Sequence, residues 1–317
     1  MKPFSLHRGD AHGDLAGTVL CHDVRGAFRK GHVLRPEDIP GLIGAEWSEL
    51  HLLQLGPDDV GQHEAGQLLA QMLSNPGVHA APSGHRHVLK ATHNGLLKID
   101  VAALQRINSI PGIAVFTLMN DSVVSADQVV AEAQITPLAI EKSAIEKVAR
   151  ESGIIRNLPF PARDVVVRAT DDRLIRNLTA KLEWFGCNVS VERRPSRLSS
   201  VGTLQIVTGS NALDPLDPVF VELENAGAKM QRIGMPVHPG TLLWIATWNE
   251  ATIIGLPSCG HGQQLTAFDL VFPKILAEGV IRDDDLAALG HGGILNVRRP
   301  DPSPSARLRM TEHEPVR

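Results

Sequence analysis

No basic stripe runs along this sequence. Acids and bases are mixed along most of its 317 residues, and the formal charge is −4. An electrostatic footprint for nucleic acid is therefore missing. Cysteine is scarce: Cys21, Cys187 and Cys259 lie far apart and none forms a CxxC pair. That argues against a disulfide framework and a thiolate zinc site, and points to a reducing compartment. No stretch approaches the roughly 20 apolar residues of a membrane span. The opening MKPFSLHRGDAHGDL lacks the apolar core of a signal peptide. The expectation is a cytoplasmic protein with neither nucleic acid nor membrane as partner. No internal repeat is visible.

What is present is an ordinary globular composition, 43% hydrophobic and 21% charged, in a chain long enough for two domains. The first half reads as mixed α and β. Residues 26–42 predict a strand and then a short helix near Pro36, and ELHLLQL (49–55) is an apolar strand. A helix follows in GQHEAGQLLAQML, with Asp58 and Asp59 as candidate caps. HVLKAT (87–92) and GLLKID (95–100) are joined through Asn94-Gly95, a hairpin signal. Asp100 suits the cap of VAALQRIN. Two further strand candidates, 112–119 and 128–136, flank Asn120-Asp121, and Pro137 suits the first turn of a helix reaching Arg150.

The Pro-rich stretch 153–163 marks the expected boundary, giving a domain over 1–152, a second over 153–297 and a tail from 298 without periodicity. The second half alternates strand and helix: DVVVRAT, a helix capped by Asp171 or Asp172 and ended by Gly186, CNVSVE, TLQIVT, and a helix with Asp217 as N-cap and Pro218 at N1. LLWIATW and ATIIGLP read as a hairpin around Asn249-Glu250, and 265–279 as a helix containing Pro273. Alternation of this density predicts an α/β domain with a mostly parallel sheet covered on both faces.

The stretch VTGSNALDPLDP (207–218) leaves the strand TLQIVT at its carboxyl end, where open parallel sheets place their ligands. Gly209 permits close backbone approach, Ser210 and Asn211 add donors, and the helix after Asp217 favours an anion. Asp214 and Asp217 are hard oxygen ligands suited to Mg²⁺ beside phosphate. The same residues also make a plain turn: Asp217 is a good N-cap, and Asp214-Pro215 a common turn pair.

The second half resembles the molybdopterin-binding fold of molybdopterin adenylyltransferase and molybdenum insertase, the gephyrin-type family. The family pattern Gly-Gly-x-Ser-x-Gly-x-x-Asp falls on GSNALDPLD (209–217), matching at Gly209 and Asp217 and departing at Ser210, Ala212 and Asp214. A Pro-Gly-Lys-Pro turn corresponds to Pro239-Gly240-Thr241, and a Leu-Pro-Gly-Asn-Pro loop to Leu256-Pro257-Ser258 and the residues after it. RKGHVLRPEDIPGL and LAGTVLCHDVRG are similar to insertase segments, which makes the first half an insertase-like mixed α+β domain. The resemblance implies a three-layer molybdopterin-binding domain holding molybdopterin or its adenylylated form. Gly209, Ser210 and Asn211 would contact phosphate, and Asp217 with Asp214 would hold Mg²⁺. Pro239, Gly240, Pro257 and Ser258 would form the opposite wall. It also implies a transferase chemistry, nucleotidyl transfer or metal insertion, with Asp217 as the catalytic residue. A carrier without turnover and a hydrolase of another nucleotide pyrophosphate stand as alternatives. Homo-oligomers and a molybdoenzyme partner are further implications.

Other residues carry two readings each. Cys259 and His261 form a nucleophile–base pair only if their side chains meet. His85, His87 and His93 cluster around one turn, as a metal pair or a solvated loop. Arg193, Arg194 and Arg197 make a small basic patch, for phosphate or for solvent. Trp184, Trp244 and Trp248 read as packing residues.

Overall fold

A computed structural model describes residues 1–8, 15–83, 86–193, 204–257 and 264–295. Two units divide the chain, Met1–Phe160 and Pro161–Arg317. In the first, β1 (Lys2–His7) and β2 (Thr18–Leu20) precede α1 (Ile39–Gly44) and β3 (Glu49–Gln54). Then come β4 (Asp59–Gly61), α2 (Gln62–Leu73), β5 (Val78–Ser83), β6 (Arg86–Ala91), β7 (Gly95–Ile99) and α3 (Val101–Asn108). β8 (Ile113–Thr117), β9 (Val123–Val124), β10 (Val129–Ile135), β11 (Ala139–Glu141), α4 (Lys142–Ala149) and β12 (Ile155–Pro159) complete it. The strands form four small sheets, ordered β1-β3-β2, β5-β6-β10-β8, β11-β4 and β12-β7-β9.

Several local expectations yield to tertiary pairing here. β6 and β7 do not pair with each other; β6 lies between β5 and β10, and β7 between β12 and β9. Asn94 instead accepts the Ala126 N–H through its side chain at 3.0 Å. Residues 26–35 form isolated bridges, Val19 with Val33 and Val24 with Phe28, in place of a strand. α2 takes Gly61 as its N-cap with no side-chain cap, while Asp59 accepts the Gly56 N–H at 2.8 Å. Pro137 precedes a strand, β11, which pairs with β4, so α4 begins five residues later than expected, at Lys142. β12, inside the Pro-rich stretch, runs antiparallel to β7 and so lies within the first unit.

The second unit contains β13 (Asp164–Arg168), α5 (Asp172–Trp184), β14 (Asn188–Glu192), β15 (Leu204–Thr208), α6 (Pro218–Asn225) and β16 (Lys229–Ile233). β17 (Trp244–Trp248), β18 (Ala251–Leu256), α7 (Ala267–Glu278) and α8 (Asp283–Ala288) follow. One six-stranded sheet has the order β14-β13-β15-β18-β17-β16. Its first four strands are parallel, and β17 and β16 are antiparallel, so it is a mixed sheet in an α/β unit. The local signals hold well in this unit. Asp171 accepts the Leu174 N–H at 2.8 Å and so caps α5, whose buried face is Ile175, Leu178 and Leu182. Asn249 and Glu250 take positive φ at the β17–β18 turn. Every residue of β15 is buried, as a central strand covered on both faces requires. Val207, Trp244, Ala246 and Ile253 pack with Leu223 and Phe220 of α6, while Phe185 after α5 meets Phe272 of α7. Among the described residues no helix is long and apolar enough to cross a membrane. The stretch from 298 lies outside them.

Candidate functional site

The parallel registers fix where the site residues emerge. Arg168 pairs with Val207, and Thr208 with Leu256, so β13, β15 and β18 end side by side. Gly209 follows at φ +86°, its N–H directed to the Leu256 carbonyl at 3.3 Å. A Cβ added at Gly209 meets nothing within 4 Å among the described residues. The loop 209–217 and Pro257 thus leave one edge of the sheet.

Within the loop, the polar groups turn inward on one another. Asp217 Oδ2 accepts the Asn211 N–H at 2.8 Å, and Oδ1 accepts the Val219 N–H at 2.9 Å. One carboxylate therefore caps α6 and closes the loop. Asn211 Oδ1 accepts from the Leu213 N–H, and Asp214 Oδ1 from the Leu216 N–H. Ser210 is buried, and its hydroxyl oxygen accepts the Trp244 indole N–H at 2.9 Å. That bond lets Trp244 sit in the core with its N–H satisfied. Pro239 and Gly240 seat on the start of α7: the Pro239 carbonyl accepts the Ala267 N–H at 2.9 Å. A Cβ on Gly240 would stand 2.6 Å from Ala267. Ser258, Cys259 and His261 lie outside the described residues.

A buried charge stands at this edge: Arg168, the last residue of β13 and 1% exposed. Its Nε lies 3.2 Å from Glu192 Oε2 on β14, an ion pair without hydrogen-bond geometry. Nη2 makes no hydrogen bond among the described residues. Burial pulls the guanidinium pKa below the usual arginine value, and the charges of Glu192 and of Glu222 on α6 oppose that shift. A buried charge costs several kcal/mol unless it is compensated, so the two glutamates are what make Arg168 tolerable.

The remaining candidates disperse. Arg193 pairs with Asp172 at 2.7 Å, both exposed, and Arg194 and Arg197 lie outside the described residues. His87 is buried against Gly66 of α2, whereas His93 contacts the Asn94 carbonyl and Asn157; His85 is outside the described residues. Among the described residues no three His, Cys, Asp or Glu side chains stand together as a metal site. Burial pushes the Cys187 thiol up to about 11, which keeps it protonated and unreactive at neutral pH.

No family model matches the chain. No curated protein matches it either. Among solved structures it is similar to the molybdopterin biosynthesis MoeA protein from Pyrococcus horikosii, at 12% identity and a TM-score of 0.29, over 69% of this chain and 79% of that one.

Sequence reasoning passed over Arg168. Its signal is a charge set directly after the apolar run Val165-Val166-Val167, at the end of a strand that β14 and β15 flank on both sides. A strand buried on both faces has no room for a charge without a dedicated partner.

Proposed function

We propose that the second unit is a binding module for molybdopterin or its adenylylated form, held at the edge where β13, β15 and β18 end. The observation that carries the reading is the alignment of those three parallel strand ends, with Gly209 beside Leu256 and no described atom within 4 Å of where its Cβ would stand. Ligands of open parallel sheets bind at such an edge. The pterin identity comes from the motif resemblance at 209–217, 239–241 and 256–258. In this reading the sheet is the middle layer of a three-layer domain, and Gly209, Ser210 and Asn211 border the ligand phosphate. Pro239, Gly240 and Pro257 form the facing wall.

Asp217 favours holding over turnover. Both its oxygens already accept backbone N–H groups, and Asp214 accepts another. These two committed carboxylates, with no third acidic, His or Cys group beside them among the described residues, do not make a fitting Mg²⁺ site. A carrier that presents the pterin to a molybdoenzyme is therefore the form of the function proposed. Homo-oligomerisation and a cytoplasmic location are part of the same proposal.

Calorimetric titration of the full chain with molybdopterin and adenylylated molybdopterin, with and without Mg²⁺, tests it. Binding in the wild type, weakened about tenfold or more in Gly209→Val, supports the site. No binding of either pterin overturns the ligand assignment, and hydrolysis of a nicotinamide or ADP-ribose pyrophosphate would then supply the alternative. Mg²⁺-dependent consumption of the adenylylated form would make the module an enzyme.

A further inference from the structure

We propose that Arg168 is the anion-recognising residue of the second unit, donating to a phosphate oxygen of a ligand bound between the ends of β13 and β15. This rests on the edge-binding reading above, though not on the pterin identity. The position comes from the topology. α5 leads from β13 to β14 at one end of the sheet, and α6 leads from β15 to β16 at the other. The two crossovers diverge between β13 and β15, and a sheet opens a ligand crevice where its strand order reverses. Arg168 closes β13 at that point, and Thr208 ties the two strand ends by donating its hydroxyl to the Arg168 carbonyl at 3.1 Å.

The chemistry points the same way. A phosphate at a helix N-terminus ordinarily takes the free backbone amides. At α6 the Val219 N–H and the loop's Asn211 N–H already go to the Asp217 side chain. The Ser210 hydroxyl is held by Trp244. Beside these groups, Arg168 Nη2 is a buried donor that makes no hydrogen bond among the described residues. A guanidinium presents a planar fork that matches phosphate oxygens, and leaving such a donor buried without an acceptor is unfavourable. Glu192, at 41% side-chain exposure, is the group that shares Arg168 with solvent. An incoming phosphate competes with Glu192 for the same guanidinium. The charge of Glu222 on α6 favours the charged guanidinium as well. Arg168 thus belongs to a charge set that exchanges one carboxylate for a ligand anion.

Pyrophosphate is the probe, titrated calorimetrically into the full chain at low salt, with circular dichroism on every variant. Arg168→Met is expected to weaken pyrophosphate binding at least about tenfold, and Glu192→Gln to tighten it about threefold by removing the competitor. A folded Arg168→Met that binds like wild type overturns the proposal, as does a wild type with no affinity for pyrophosphate. Should Arg168→Met fail to fold, Glu192→Gln decides: tighter binding supports the exchange, and unchanged or weaker binding overturns it. Molybdopterin titrated in parallel separates this from the ligand assignment. Equal pterin binding by wild type and Arg168→Met removes Arg168 and leaves the pterin module standing. Pyrophosphate held through Arg168 without any pterin affinity does the reverse.

Discussion

Among the described residues, the first unit spreads twelve strands over four small antiparallel sheets, whereas the second gathers six into one mixed sheet. The difference shows in burial. β6 alternates between buried and partly exposed residues, as half-covered strands do, while β15 is buried from end to end. The first unit makes its tight joints with glycines that leave no side chain in the way, within the β7–β12 ladder and between α2 and β6. Gly95 of β7 lies so close to β12 that a Cβ would stand 2.3 Å from Asn157 Oδ1 and 2.4 Å from the Leu158 carbonyl. Gly66 of α2 lies under the His87 ring, 2.6 Å from where its Cβ would be. The single sheet of the second unit uses the same device, where Gly255 faces Trp244 across the β17–β18 ladder. Its continuous core can also hold one compensated charge, Arg168.

Steric substitutions break the comparison hardest. In Gly255→Ala the new Cβ would stand 1.8 Å from the Trp244 ring, which is 1% exposed and anchored by its bond to Ser210. We expect a loss of about 3 kcal/mol in the second unit. Gly95→Ala should cost the first unit about 2 kcal/mol, since the new Cβ would meet the Leu158 carbonyl and the Asn157 side chain. Amide hydrogen exchange reads each unit separately: loss of protection confined to β17 and β18 in one variant, and to β7 and β12 in the other, is the expected pattern. Equal loss throughout both units would show that the joints are not local.

The same contrast governs what the sequence makes legible. α5 announces itself through Asp171, one apolar face and Gly186, and the β17–β18 turn through Asn249-Glu250, because each signal acts on residues a few positions away. Asn94-Gly95 carries an equally strong local signal and misleads. Its glycine serves the approach of β12, some sixty residues later in the chain, and not a turn of positive φ. β12 (IRNLP) and β16 (KMQRI) have no apolar alternation to betray them; pairing at a sheet edge makes them strands. At the candidate site the strand-end location of 209–217 is legible from the alternation of elements. The direction of its donors is not, since they bond within the loop itself.

The loop's own closure gives an intermediate effect. Asp217→Ala removes acceptors from two backbone N–H groups, whereas Asp171→Ala removes one. Losses of about 2 and about 1 kcal/mol are expected, read from thermal denaturation of the second unit. Equal losses would mean that the Asn211 bond adds nothing and that Asp217 is an ordinary cap, leaving its second oxygen available to a ligand.

The smallest effect concerns pH and belongs to the first unit. His87 is 5% exposed, and burial, then the neighbouring His63 ring at 5.7 Å, holds its pKa below the ordinary histidine value. In the unfolded chain the same imidazole takes a proton near pH 6.5. Below that pH the unfolded state binds a proton that the folded state refuses, so stability falls as the solution is acidified. It is fully present above the unfolded pKa, and it stops falling once the pH drops below the depressed folded value. The slope cannot exceed about 1.4 kcal/mol per pH unit for one group, so about 1 kcal/mol is expected between pH 7.5 and pH 5.5. Protection of the α2 amides against exchange should track that loss after correction for intrinsic rates. His87→Phe keeps a ring over Gly66 and removes the titration, so its α2 protection should be flatter with pH whatever its absolute level. An undiminished slope in that variant would move the acid sensitivity away from the buried ring.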